Sequence, residues 1–550
     1  MGDFSLEQRR RWLQQSAEGF VDVVVIGGGI TGAGVAREAA LRGLTAVLVD
    51  KGDFASGTSS RSSKLIHGGV RYLAQGDIAL VREAARERSV LRGIAPHLAM
   101  PVQMLLPAAS LAGRLKLAAG LWTFDRVAGG AADTGHEVLD QRSTLQAEPG
   151  LRTQQLSGSV VFTEYVTSDA RLTLETIRSA SEAGARVANY AMVVAMSDRD
   201  GSMRVVIEDQ VEGEQLEIRA RSVVNAAGPW FDRVRGLSEP GAEGLTQLTR
   251  GIHLVVPRET LPVENCVVLR SPDRRSTFVV PRGRYAYIGT TDTHYSGSLE
   301  EPGVSLEDAE YLLESAPGLN DIVGTWSGVR PLLKQEGKKP SEISRRDEIR
   351  TGPGPVVGVA GGKLTTYRRM AERVVAEVLR IINKTPTGSV DSARLPLIGG
   401  DAEQQSRQRA LTQSSGDARM DERLWATYGV VAASIIERIV ADPSAAHCPG
   451  WLDALSYAEI DHAIEEEMAW SLDDVLRRRS HLAMFDIVAA TSAASAVAKH
   501  MATRLGWSDQ RQIREAEEFE RARRGELETV RGGLAQGHDD ETGKESLQGE

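Results

Sequence analysis

From Val21 the chain reads VDVVVIGGGITGAG, an apolar run that breaks into three consecutive glycines and then takes up a helical pattern. Within it, Gly27-x-Gly29-x-x-Gly32 opens the helix directly after a strand. In that setting Gly27 permits a tight turn, Gly29 lets the backbone approach a diphosphate, and Gly32 lets the helix pack closely on the strand. The helix start offers free N–H groups and partial positive charge to the same diphosphate. A second short strand, Thr45–Asp50, ends in a carboxylate 18 residues beyond Gly32, placed to accept hydrogen bonds from ribose hydroxyls. A merely structural glycine turn has no use for Asp50, so the β-α-β unit is read as a dinucleotide site.

The rest of the chain is ordered around this unit. Residues 52–63 (GDFASGTSSRSS) are small and polar and read as a loop, followed by helical pattern at His67–Tyr72 and Ile78–Leu98. Between Ala188 and Val224, strand-like runs broken at Asp200-Gly201 predict an antiparallel meander returning to the main sheet. The strand VVNAAGPW (223–230) ends in small residues suited to passing behind a large cofactor, which brings in Gly228. PVVGVAGGKLTTY (355–367) is a second glycine-rich strand-to-helix turn, about 330 residues after the first. A helix start there suits the pyrimidine edge of a flavin, where negative charge develops on reduction. An NAD enzyme has no need of it, so the dinucleotide is read as FAD, held noncovalently, with Gly362, Leu364 and Thr365 on the closing turn.

The expected fold class is therefore α/β: a Rossmann-like FAD-binding domain with an antiparallel β-rich substrate cap and a C-terminal α-helical domain. Residues 1–20 read as a polar extension and 21–395 as the discontinuous FAD-binding domain, with the cap mainly in 75–150 and 245–330. Helix formers dominate 396–515, and the polar stretch 523–550 is expected to be disordered. At 550 residues more than one core is required.

Net charge is -10, which argues against nucleic acid as a partner but leaves room for a local basic pocket. Cys266 and Cys448 are the only cysteines, far apart and without metal spacing, so no metal site and a reducing, cytoplasmic setting are expected. No run of about 20 apolar residues appears, so membrane contact would be peripheral.

Three stretches beyond the nucleotide motif carry a family resemblance: SSRSSKLIHGGVRYL (59–73), SGVRPL (327–332) and GGKLTTYRRMAE (361–372). Together they make the chain resemble the FAD-dependent, membrane-associated glycerol-3-phosphate dehydrogenases, within the D-amino-acid-oxidase-like flavoproteins, from about Asp22 to Arg479. The resemblance implies oxidation of sn-glycerol 3-phosphate to dihydroxyacetone phosphate, with hydride passing from C2 to flavin N5. Electrons would go on to a membrane quinone, and the protein would be a homodimer peripheral to the inner face of the cell membrane.

Such a substrate needs cations for its phosphate and an acceptor for its hydroxyl proton. Arg330 precedes Pro331, which favours extended backbone, and its guanidinium can grip a phosphate with two parallel bonds. A surface ion pair is the competing role. Lys363 begins the closing turn, where a lysine is unfavourable unless an anion lies near. By resemblance Arg346 (beside Arg345), Arg71 and Tyr72 complete the substrate set. His67 and His253 both stand as candidate bases, and neither is chosen by sequence. Thr58, Ser59, Ser62, Ser63 and Lys64 are expected to line the flavin. Thr291 and Asp292 serve either the site or a strand-ending turn.

The stretch Leu98–Trp122 mixes large apolar residues with Arg114, Lys116 and a terminal Trp, which suits either an interfacial helix or a buried cap helix. The rival readings are an oxidase of the same fold delivering electrons to O2 and a non-catalytic flavin-binding protein. The C-terminal helical domain favours the dehydrogenase, and the cation set Arg330, Lys363 and Arg346 disfavours the non-catalytic reading.

Overall fold

The computed structural model describes residues 4–68, 77–128, 135–271, 273, 275–316, 321–334, 347–388, 390–447 and 455–545, the last of these without side chains from 533 onward. Two sheets organise it. In the first, Phe20–Ile26 lies at the centre because Val23, Val24 and Val25 are apolar on both faces and fully buried. It pairs in parallel with Ala46–Val49 on one side and Glu214–Asn225 on the other. Arg186–Ala188 and Val356–Ala360 extend the parallel set, and Glu348–Thr351 runs antiparallel at the edge. Ala191–Arg199 and Ser202–Asp209 form the expected meander onto Glu214–Asn225. Helix Ile30–Leu41 packs against Tyr367–Ile381 and Asp169–Glu182 through small residues; a Cβ on Gly34 would lie 2.8 Å from the Tyr367 ring.

The second sheet is the cap. Its long strands are Met100–Ala108, Gly158–Val166, Thr246–Pro257, Ser276–Arg282 and Gly324–Leu333, antiparallel except where Cys266–Arg270 meets Met100–Ala108. It therefore reaches beyond the expected cap segments to take in Leu65–Ile66 and Gly158–Val166.

The C-terminal region is helical, as read. Ala418–Ala441 is long and apolar enough by composition to cross a bilayer, but it folds as two helices around a short 3-10 turn, with Leu424, Trp425, Ile435, Ile436 and Ile439 in a buried cluster.

Two terminal expectations are corrected. Residues 1–20 are not simply a polar extension: Leu6–Glu18 is a helix capped by Ser5, with Leu13 buried and Arg9 in a buried fork on Asp209. The segment 523–550 was expected to lack structure, yet helix Asp509–Glu545 runs through most of it. Its few apolar residues are well placed, since Leu527 and Val530 bury against the cap cluster and Arg531 Nε donates to the Ile322 carbonyl.

Candidate active site

A cavity of about 380 Å³ lies where the first glycine turn, the closing turn and the 50–62 loop converge. Gly27, Gly29, Asp50, Thr58, Ser59, Ser62, Gly228, Gly362, Lys363 and Leu364 all line it. The glycines are required by geometry. Gly27 has φ +109°, and a Cβ there would stand 2.6 Å from the Ala226 carbonyl oxygen. Gly32 lies behind the cavity wall, where a Cβ would come within 1.9 Å of the Gly27 oxygen, so its role is packing.

Asp50 is held by two backbone donors, Gly28 N–H at 2.6 Å and Gly52 N–H at 2.9 Å. Burial nevertheless raises its carboxyl from 3.8 to about 6, opposed by those two bonds. A half-buried carboxylate with acceptor capacity left over, beside a cradle that a Cβ would fill, fits the ribose and diphosphate of a dinucleotide. At the other end, Val356–Ala360 delivers Gly361 and Gly362 in left-handed conformations, and Lys363 caps the short turn Leu364–Thr366. Thr365 is buried behind this turn and donates to the His67 carbonyl at 3.4 Å.

Other predicted residues take supporting positions. Ser62 lines the cavity while its hydroxyl and N–H both donate to Asp169. Lys64 and Ser63 do not line this cavity. The Lys64 amine is buried against Asp169 at 2.7 Å and the Ser60 carbonyl at 2.8 Å, because a buried ammonium demands a carboxylate. Ser63 faces His253, Oγ to Nε2 2.9 Å. His253 is buried and stacked on Trp326 at 4.6 Å, also off the cavity wall. Burial first, then the Arg330 and Lys64 charges, hold it well below the ordinary histidine value, so it is a neutral imidazole.

Arg330 lies beside the cavity-lining Pro331. Its guanidinium donates to Thr290 Oγ1 at 2.9 Å, the Thr291 carbonyl at 3.2 Å and Asp292 at 3.3 Å. Gly251 makes room for it, since a Cβ there would be 2.3 Å from Nη2. The GTTD turn thus orients Arg330 as well as ending a strand. His67 is half-buried in the loop before Gly68, whose N–H donates to buried Glu164. Arg71, Tyr72 and Arg346 lie outside the described residues.

Sequence reasoning missed a polar cluster that joins the cavity wall to the cap. Lys51 sits over the Trp230 ring at 4.1 Å, and Glu300 from the cap accepts from Lys51 at 2.9 Å, Trp230 Nε1 at 3.2 Å and Arg233 at 3.5 Å. It missed Asp169 too. A single acid in TSDARL carries no pattern of its own.

The sheet order and the glycine cradle define an FAD-dependent oxidoreductase. The family model described as FAD dependent oxidoreductase matches residues 22–367, and that of the C-terminal domain of alpha-glycerophosphate oxidase matches 390–512. The aerobic glycerol-3-phosphate dehydrogenase of Bacillus subtilis is 36% identical over 532 residues, covering 92% of this chain and 95% of that protein. The solved glycerol-3-phosphate dehydrogenase of Bacillus halodurans, complexed with FAD, superimposes with TM-score 0.77 at 32% identity, over 96% of this chain and 98% of that one. Glycine oxidase from Geobacillus kaustophilus shares the fold alone, at TM-score 0.51 and 21% identity, matching 68% of this chain and 98% of its own. The chain belongs to the family of aerobic, FAD-dependent glycerol-3-phosphate dehydrogenases, and its cofactor is FAD.

Proposed function

We propose that the protein oxidises sn-glycerol 3-phosphate to dihydroxyacetone phosphate and passes the electrons to a membrane quinone, as a homodimer on the inner face of the cell membrane. The observation that carries this reading is Lys363 in the wall of the FAD cavity, with Arg330 adjacent in sequence to the wall residue Pro331. These cations suit a phosphorylated alcohol, and the relatives named for glycerol 3-phosphate supply the rest of its identity.

FAD, when bound, supplies the acceptor for the hydride that leaves the secondary carbon. Asp50 would hold its ribose end and the start of helix Ile30–Leu41 would offer N–H groups to its diphosphate. Arg330, kept in register by Thr290 and Asp292, binds the substrate phosphate together with Arg71 and Arg346, while Tyr72 hydrogen-bonds the substrate. Lys363 lowers the cost of negative charge on the alcohol oxygen. His67 takes the hydroxyl proton. His253, neutral and stacked, orients Ser63 instead.

Helix Leu111–Ala128 supports the membrane arm of the reading. Leu111, Leu115 and Trp122 lie on one face and are 56%, 59% and 54% exposed, with Lys116 and Arg126 beside them. That pattern suits an interfacial helix. Arg114 is turned inward, its guanidinium on the Leu139 and Ser157 carbonyls, so it anchors the helix rather than meeting headgroups. Turnover of glycerol 3-phosphate with a soluble quinone analogue, with and without liposomes, tests the acceptor. Quinone reduction raised by liposomes with little peroxide is expected. Peroxide formed one for one with product would put the oxidase in its place.

A further inference from the structure

Glycine oxidase shares the fold over 98% of its own length but only 68% of this chain. In this protein the helices beyond residue 390 are bonded to the rest of the chain at several places, Glu467 to Arg171 and Asp486 to Tyr285 among them, and one of these contacts is with the loop beside the cavity. Asp53 stands in the middle of the segment whose Lys51, Ser56, Gly57, Thr58 and Ser59 line the FAD cavity, and its side chain is fully buried. The Asp53 carboxylate accepts from Arg478 Nε at 2.5 Å, from both terminal nitrogens of Arg479 and from Asn189 at 3.2 Å.

Both arginines come from the buried π-helical turn Asp474–Arg479 of the C-terminal domain. Arg479 also donates to the Glu467 carbonyl at 2.6 Å, and Arg478 to Asp473 at 2.9 Å and to Asp474. Asp474 in turn accepts from Tyr190 Oη at 2.7 Å. The backbone of that strand end closes the ring, with Tyr190 N–H on the Gly52 carbonyl at 2.8 Å and Ala191 N–H on the Asp50 carbonyl at 2.7 Å. Asp50 and its loop are thus held from the cofactor-distal side by guanidinium forks of a different domain. A buried aspartate so close to Asp50 would be intolerable without them.

We propose that Arg478 and Arg479 are positioning residues for FAD: acting through Asp53, they shape the loop that carries Asp50 and Thr58, so that the C-terminal helical domain sets cofactor affinity. The inference rests on the placement of Asp50 at the FAD ribose.

The test uses the full chain, Arg479→Met and Arg479→Lys, with Asp50→Asn as a control for the ribose placement. FAD dissociation constants are read from flavin fluorescence on titrating apoprotein at a temperature far below its unfolding midpoint, which is recorded separately. Losing a charge-assisted fork should weaken FAD by about 10- to 100-fold in the Met variant, with partial rescue in the Lys variant, which keeps the charge. Should the Met variant fail to fold, weakening by about threefold or more in the Lys variant still supports the coupling. Dissociation constants within about threefold of wild type in every Arg479 variant that folds overturn it, whatever happens to the thermal midpoint. If Asp50→Asn alone weakens FAD, only the coupling fails. If it too binds normally, the ribose placement fails with it.

Discussion

Asp50→Asn should do opposite things to the fold and to the cofactor. Burial pushes this carboxyl up from the ordinary aspartate value of 3.8 to about 6 in the folded chain. Because the folded value is raised, its contribution to stability is full below pH 4 and is lost as pH rises through 6. At about 1.36 kcal/mol per pH unit, keeping the group ionised at neutral pH costs the apoprotein about 3 kcal/mol. Asparagine removes that cost. It retains an acceptor for either Gly28 N–H or Gly52 N–H but turns its own N–H towards the other, giving back about 1–2 kcal/mol. The net gain at pH 7.5 is about 1 kcal/mol, a rise of a few degrees in the midpoint of the FAD domain. Near pH 4.5, where wild-type Asp50 is protonated in the fold, the advantage should invert. FAD should meanwhile bind about 10- to 150-fold more weakly, since charge-assisted bonds to the ribose contribute about 1.5–3 kcal/mol. Scanning fluorimetry of both apoproteins at the two pH values, beside FAD titrations, measures all of this. An apoprotein less stable than wild type at both pH values, or with wild-type FAD affinity, would refute the reasoning.

Arg330→Lys keeps a charge beside Pro331 but loses the planar fork, so kcat/KM for glycerol 3-phosphate should fall by about 10- to 150-fold with normal FAD content; wild-type efficiency in a fully loaded variant removes Arg330 from the phosphate site. Leu115→Glu, on the exposed face of helix Leu111–Ala128, should abolish liposome pelleting and the liposome stimulation of quinone reduction while leaving reduction of a soluble dye intact. Pelleting like wild type would assign that face to something other than lipid.

The parts legible in the sequence are those whose chemistry is local. Gly27 needs a positive φ at the turn and Gly32 packs on the Gly27 carbonyl, and Asp50 follows at the end of the next strand, so cradle and cofactor could be read together. The closing turn Gly361–Leu364 is of the same kind. Less legible are features set by partners far along the chain. Lys64 sits in the flavin-proximal stretch, but its amine is claimed by Asp169, 105 residues on. Leu527 and Val530 look too sparse to order a polar tail until the cap cluster they cover is known. Gly158–Val166 joins the cap through its register with Met100–Ala108 and Glu137–Asp140, which no periodicity announces. Arg71, Tyr72 and Arg346 rest on the resemblance and lie outside the described residues.

Anaerobic titration of the purified holoprotein by visible absorbance bears most directly on the central claim, that this FAD site serves a phosphorylated alcohol. Glycerol 3-phosphate should bleach the flavin band to completion at close to one equivalent per FAD, with dihydroxyacetone phosphate recovered in the same amount. Glycerol at the same concentration should leave the band unchanged, because Arg330 has no phosphate to hold. Equal bleaching by the two alcohols, or none by either in a fully loaded protein, would contradict the account.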